Sequence, residues 1–147
     1  MEKAVRLSYD NVLQGKGGPF GAVIVKDGNI ISTGKNSVVQ IHDPTAHAEI
    51  MAIRKACQKL SSHHLEDCEI YSSTEPCPMC YAAIRWAKIK TIYYANTRHD
   101  AADIGFNDKQ IYDEIENRTQ GLIHCKPVKV DAKEAFQLWT NVEKVPY

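Results

Sequence analysis

Four residues of this chain have the types and spacing to do chemistry together. Cys77 and Cys80 stand three apart in TEPCPMCYAAIRWA, and His47 and Glu49 stand two apart in HDPTAHAEI. Side chains three apart share one face of a helix, so two thiolates at the start of a helix can converge on a single ion. The positive end of the helix dipole favours the thiolate form, as does a metal. Two sulfurs do not complete a zinc site, which takes four ligands. His47 is the best candidate for a third, and three protein ligands plus one water is the pattern of a catalytic zinc. Glu49 is then near enough to handle the protons of that water without binding the metal. Other readings compete. A lone C-x-x-C also fits a thioredoxin-like redox pair, although that motif usually follows a first strand and leaves His47 and Glu49 unexplained. A closed structural zinc would recruit His63 or His64 as a fourth ligand.

These residues need elements that bring them together. Residues 3 to 14 place Val5, Tyr9, Val12 and Leu13 on one side of a helix, which Gly15-Lys16-Gly17-Gly18-Pro19 ends. FGAVIV and NIISTG, joined by Lys26-Asp27-Gly28, predict a β-hairpin. A helix is expected from Asp43 as N-cap and Pro44 at its first position, with Ile50, Ile53 and Cys57 along one face. Residues 68 to 73 predict a strand, 77 to 88 a helix and 91 to 95 a strand. DKQIYDEIENR predicts a short helix, CKPVKV a strand and AKEAFQLWTNV a last helix. This order implies an α/β fold, a three-layer α/β/α sandwich around a mixed, mostly five-stranded sheet, with residues 1–147 as one domain. Two helices whose N-termini face one another at one sheet edge would carry His47 to the cysteines.

Composition sets limits on what that site serves. The chain has 147 residues, 44% of them hydrophobic, with 18 basic and 18 acidic side chains. An even balance provides no basic stripe for a nucleic-acid backbone, so a nucleic-acid partner is not expected. The opening MEKAVRLSYDNVLQGKGG lacks an apolar core of signal-peptide length, and no apolar run approaches the ~20 residues that cross a bilayer. A cytoplasmic protein away from membranes is the expectation. Five cysteines, an odd number, in a reducing compartment argue for ligands and buried thiols rather than a disulfide framework.

His-x-Glu followed by Pro-Cys-x-x-Cys is the signature of zinc nucleobase deaminases, and both halves stand intact here. The chain resembles the cytidine-deaminase-fold superfamily, and within it the bacterial guanine deaminases. GGPFGAVIVKDG, DPTAHAEIMAIRKAC, EPCPMCYAAIRWA and DAADIGFND carry the resemblance nearly end to end. The zinc motifs indicate only the superfamily; DAADIGFND points to guanine. The resemblance implies one zinc ion per subunit on His47, Cys77 and Cys80, and hydrolysis of guanine to xanthine and ammonia with Glu49 moving the protons. It implies a second acid at Asp108, gripping the guanine edge. Guanine presents donors at N1 and the exocyclic amine, and one carboxylate accepts from both; adenine and cytosine place an acceptor at the equivalent ring nitrogen. Asp108 as a helix cap is the plainer alternative. Asn36, Phe20, Trp86 and the backbone of Ala48 are implied as further substrate contacts. So is Tyr147, through a C-terminal segment exchanged between the subunits of a homodimer. The opening helix is shorter than the family's, residues 116–121 are trimmed, and Asn107 replaces a second acid common there. Related substrates stay open: an aminotriazine, guanosine, cytosine or adenosine in tRNA. A non-catalytic zinc module also stays open.

Overall fold

A computed structural model describes residues 1–117, together with 135, 136 and 139. The elements run α1 (Glu2–Leu13), β1 (Gly21–Lys26), β2 (Asn29–Lys35), α2 (Val38–Ile41), α3 (Ala48–Leu60), β3 (Cys68–Thr74), α4 (Pro78–Trp86), β4 (Thr91–Asn96), α5 (Arg98–Asp103) and α6 (Lys109–Asn117). The expected strand at 125–130 and the full span of the last expected helix lie outside the described residues.

The hairpin forms where Asp27-Gly28 predicts it. Lys26 pairs with Asn29, and both turn residues have positive φ, 49° and 73°, which matches the twist of the flanking strands. The described sheet has order β2-β1-β3-β4, with β1 antiparallel to both neighbours and β3 parallel to β4. That parallel pair is joined across α4, the crossover that such strands require.

Alternation along β1 builds the three layers. Ala22 and Ile24 point towards α3 and α4 and meet Ala52, Ala56, Ile70 and Ile84; Val23 and Val25 point the other way, to Ala4 and Leu7 of α1. On α3 the inward face is Ala48, Glu49, Ala52 and Ala56. The expected Ile53 and Cys57 flank it, half-buried. Small side chains are needed there because α3 lies close on β2. A Cβ built on Gly34 would stand 1.9 Å from the carbonyl oxygen of Ala48. The hydroxyl of Ser32 donates to the carbonyl of Ala52 at 2.7 Å, tying strand to helix.

Two expectations are corrected. On α1, Val5, Tyr9, Val12 and Leu13 are exposed, and the buried residues are Ala4, Leu7 and Asn11. The helix comes closest to the sheet at Gly21, which Ala4 and Leu7 face. Asp43 does not begin α3: its carboxylate accepts from the backbone N–H and hydroxyl of Thr45 at 2.8 and 2.6 Å, and the helix starts at Ala48.

Candidate active site

Two helix N-termini create the site. His47 is the N-cap of α3 and Cys77 the N-cap of α4, both extended, with Pro78 at the first helical turn of α4. Cys80, one turn on, is fully buried. The Nδ1 of His47 lies 3.5 Å from each of the two sulfurs, and the three ligand atoms fall within 4.8 Å of one another. Tetrahedral zinc with its usual Zn–S and Zn–N lengths would separate nitrogen from sulfur by about 3.6 Å. The donor set therefore fits zinc. Among the described residues neither His63 nor His64 joins this group; their rings contact each other, centroids 4.2 Å apart. A closed four-ligand site through them is not formed.

The electrostatics of the sulfurs follow from their neighbours. Cys77 is held down to about 4, first by the hydrogen bond from Cys80 and also by His47, against the opposing effect of burial. Cys80 is pushed up because it keeps the shared proton, and burial adds to this. His47 is raised by its hydrogen bond to Cys77.

Glu49 is buried beside this cluster. Its Oε1 accepts from the Ser72 hydroxyl at 3.1 Å, and its Oε2 accepts from the Cys80 thiol at 3.5 Å. Desolvation raises its pKa, with the charge at Cys77 acting the same way. A carboxyl so placed holds a proton more readily than one in water, which suits a group that must both take and give one.

A cavity of about 410 Å3 opens over these residues. His47, Glu49, Thr74 and Cys77 line its floor; Phe20, Asn36, Phe106 and Asp108 line it as well. The rings of Phe20 and Phe106 meet edge to face, centroids 4.8 Å apart. Asp108 has an unusual feature. Its Oδ1 is buried and has no hydrogen-bond partner. Burial raises its pKa first, and the negative charge of Cys77 second. A buried acceptor without a donor is costly, and a ligand donor would remove that cost.

The sequence-expected residues thus divide. His47, Glu49, Cys77, Phe20, Asn36 and Asp108 come together around the cavity, with Cys80 beneath. Ala48 does not line it; its methyl is buried where α3 approaches Gly34. Trp86 does not line it either. It lies six residues beyond Cys80, about 9 Å along α4, and is 69% exposed. Tyr147 is outside the described residues. The sequence reading missed Asn11, a buried amide whose Nδ2 donates to the carbonyls of Gly18 and Asn36 at 2.9 Å each. It holds the Gly18–Phe20 segment and Asn36 in place. The signal was a polar residue in register with Ala4 and Leu7 on the inward face of α1.

Comparison with known proteins now bears on this geometry. Residues 1–96 match the cytidine and deoxycytidylate deaminase zinc-binding region. The chain belongs to that family. Guanine deaminase of Bacillus subtilis is 49% identical over 145 residues, 96% of this chain and 92% of that protein. The X-ray structure of the Bacillus subtilis guanine deaminase superposes with a TM-score of 0.93, covering 99% of this chain and 94% of that one at 47% identity. A tRNA-specific adenosine deaminase of Aquifex aeolicus is 48% identical, but over 52% of this chain and 51% of its own length. The fold is that of the cytidine deaminases and the cofactor is zinc, for which the three-donor cluster is the fitting site. Among the described residues no helix is long and apolar enough to cross a membrane.

Proposed function

We propose that this chain is a zinc-dependent guanine deaminase, hydrolysing guanine to xanthine and ammonia as a single domain over residues 1–147. The observation that carries the substrate reading is the unpartnered, buried Oδ1 of Asp108 in the same cavity as His47, Glu49 and Cys77. Similarity along 96% of the chain, at 49% identity, to the guanine deaminase of Bacillus subtilis supports it.

His47, Cys77 and Cys80 hold the metal. When bound, zinc supplies a water whose pKa is lowered towards neutrality. Glu49 takes a proton from the attacking water and delivers it to N3, the ring nitrogen beside C2. Carbon 2 becomes tetrahedral, bearing both a hydroxyl and the amino group. Glu49 then takes the proton of the new hydroxyl and gives it to the amine, which leaves as ammonia while C2 becomes the carbonyl of xanthine. Asp108 accepts from N1–H and the exocyclic amine, which orients C2 towards the metal. Phe20 packs on the base and Asn36 hydrogen-bonds it; both line the cavity. Desolvation in such a site strengthens each of these polar contacts.

The active form is a homodimer in which the exchanged C-terminal segment brings Tyr147 to the partner's cavity. Exposed aromatic groups on α4 and on β4, the edge strand of the described sheet, support a covered edge. Tyr81, Trp86, Tyr93 and Tyr94 are all 43–69% exposed, Tyr93 and Tyr94 on opposite faces of the strand. A cytoplasmic location accords with a purine-base substrate.

The deciding experiment follows ultraviolet absorbance of zinc-loaded protein with guanine, guanosine, cytosine, adenine and an aminotriazine. Guanine should turn over fastest. Equal or faster turnover of any other compound removes the substrate assignment. Turnover of none, with zinc retained, leaves a structural-zinc module. Gel filtration and assay of a chain ending before Val145 test the tail, and intact activity there would exclude a role for Tyr147.

A further inference from the structure

The dipeptide between β3 and the metal-ligating turn, Glu75-Pro76, is gripped by residues of α5 and α6. Glu75 accepts three hydrogen bonds from Arg98: from its backbone N–H at 3.0 Å, from Nε at 3.1 Å and from Nη2. The guanidinium in turn lies over the ring of Tyr112, its Cζ 4.0 Å from the ring centroid. Tyr112 closes the circuit by donating its hydroxyl to the carbonyl of Pro76 at 2.6 Å. The pair is not a loose surface contact, because the Glu75 side chain is only 16% exposed and that of Arg98 34%.

What this circuit holds is the segment that carries Asp108. Arg98 opens α5, and Tyr112 lies one turn into α6, where its N–H donates to the carbonyl of Asp108 at 3.2 Å. Residues 98 to 112 are therefore fastened at both ends to the two residues that precede Cys77. Asp108, Cys77 and Glu75 itself all line the cavity. Multiple donors from one guanidinium, a cation over an aromatic face and a short hydroxyl-to-carbonyl bond fix direction as well as distance. Little else is needed if α6 only has to pack.

We infer that Glu75, Arg98 and Tyr112 form a clamp that sets where Asp108 stands relative to the zinc ligands, and so act as positioning residues for guanine. The inference rests on the reading of Asp108 as the group that grips the base. None of the three need touch the substrate for the clamp to work. A displacement of about 1 Å at a positioning group can cost as much as a hundredfold in rate.

A double-mutant cycle tests it. Tyr112→Phe keeps the ring over Arg98 and removes only the bond to Pro76. In zinc-loaded protein it should lower kcat/KM for guanine by about tenfold, with zinc stoichiometry unchanged. Arg98→Ala removes both the fork and the stacking and should lower it further. In an Asp108→Asn background, Tyr112→Phe should cost less than twofold, because its effect passes through Asp108. A clamp that merely stabilised the fold would lower the melting temperature in both backgrounds and leave kcat/KM per zinc-loaded chain unchanged. That outcome, or fully additive losses, overturns the inference. If Asp108→Asn alone leaves guanine turnover unchanged, the reading of Asp108 is what fails, and the clamp as stated goes with it.

Discussion

Replacing Glu49 by Gln is the sharpest perturbation of the proposed chemistry, because the structure indicates that little else should change. The two side chains have nearly the same volume, and the residue is only 6% exposed. The Ser72 hydroxyl can still donate to the amide oxygen across the present 3.1 Å. On the other side, the carboxylate accepts from the Cys80 thiol at 3.5 Å. Once Cys80 is a thiolate ligand it has no proton to donate, and an amide N–H there is a better neighbour than a carboxylate. Zinc content should therefore remain at one per chain. Stability should not fall, since burial already raises the pKa of this carboxyl and an amide has no charge to desolvate. Activity should collapse. Positioned proton transfer contributes about 10^2–10^4 per step, and Glu49 serves both the ring nitrogen and the leaving amine. We expect kcat to fall by roughly 10^3 or more, about 4 kcal/mol of transition-state stabilisation. The assay is ammonia release from guanine, alongside zinc by atomic emission and a melting curve. A kcat within tenfold of the parent would refute Glu49 as the proton carrier. Loss of zinc together with activity would refute the isosteric argument instead.

Further outcomes follow from the packing. Gly34→Ala should lower the melting temperature by roughly 2–12 °C, because overpacking costs about 1–3 kcal/mol and this Cβ would meet a helix carbonyl at 1.9 Å. As Ala48 directly follows His47, calorimetric zinc titration should show weakened binding too; normal stability would mean that α3 yields freely. Asn11→Ala leaves two carbonyls without their donor and should cost about 2 kcal/mol in urea unfolding. A cost below about 0.5 kcal/mol would show that water replaces the amide readily. Thr97 holds Asp100 below its ordinary 3.8, chiefly through a side-chain hydrogen bond. That cap's contribution is present above this value and is lost as pH falls through the lower folded one. Protection of the α5 amides should thus be flat from neutrality to pH about 5; a decline across that range would exclude the cap as its source.

How much of this was readable beforehand differs between fold and site. Turn chemistry at Asp27-Gly28 and the β-branched runs beside it placed β1 and β2 to within a residue, since both signals are local. The inward face of α1 was misread for a physical reason. Hydrophobic periodicity points to Val5, Tyr9, Val12 and Leu13, whereas the inward face is set by where α1 comes closest to β1, at Gly21. A Cβ added there would stand 2.4 Å from the Ala4 carbonyl oxygen and 2.8 Å from the Leu7 Cβ. Ala4, Leu7 and Asn11 are what fits. Helix α5 was overlooked because its start depends on the reciprocal hydrogen bonds of Thr97 and Asp100 rather than on an apolar pattern. At the site, ligand spacing made His47, Cys77 and Cys80 legible, but the Glu75–Arg98–Tyr112 circuit joins residues up to 36 positions apart, Tyr112 to Pro76, and carries no local signature.

The misplaced start of α3 shows how function overrides a local rule. Asp43-Pro44 offers the stronger capping signal, because Asp is a preferred N-cap and Pro suits the first turn. The helix nevertheless begins four residues later, with His47 in the cap position and no side-chain cap hydrogen bond. Cys77 repeats the pattern at α4. Elsewhere the same chain caps a helix conventionally, with Thr97 and Asp100 in a reciprocal box. Bare caps also open α1, at Met1, and α2, at Ser37, but only at α3 and α4 does the cap position hold a member of the three-donor cluster. At an N-cap the backbone is extended and the side chain is released from the helix surface, so His47 and Cys77 can turn towards one point. That point lies at the positive ends of two helix dipoles, where thiolate charge is favoured. A Ser or Asp at either position would make a better helix start and remove a ligand. The cost of each missing cap is of the order of 1 kcal/mol, which is small beside the binding free energy of about 10 kcal/mol or more typical of a structural zinc.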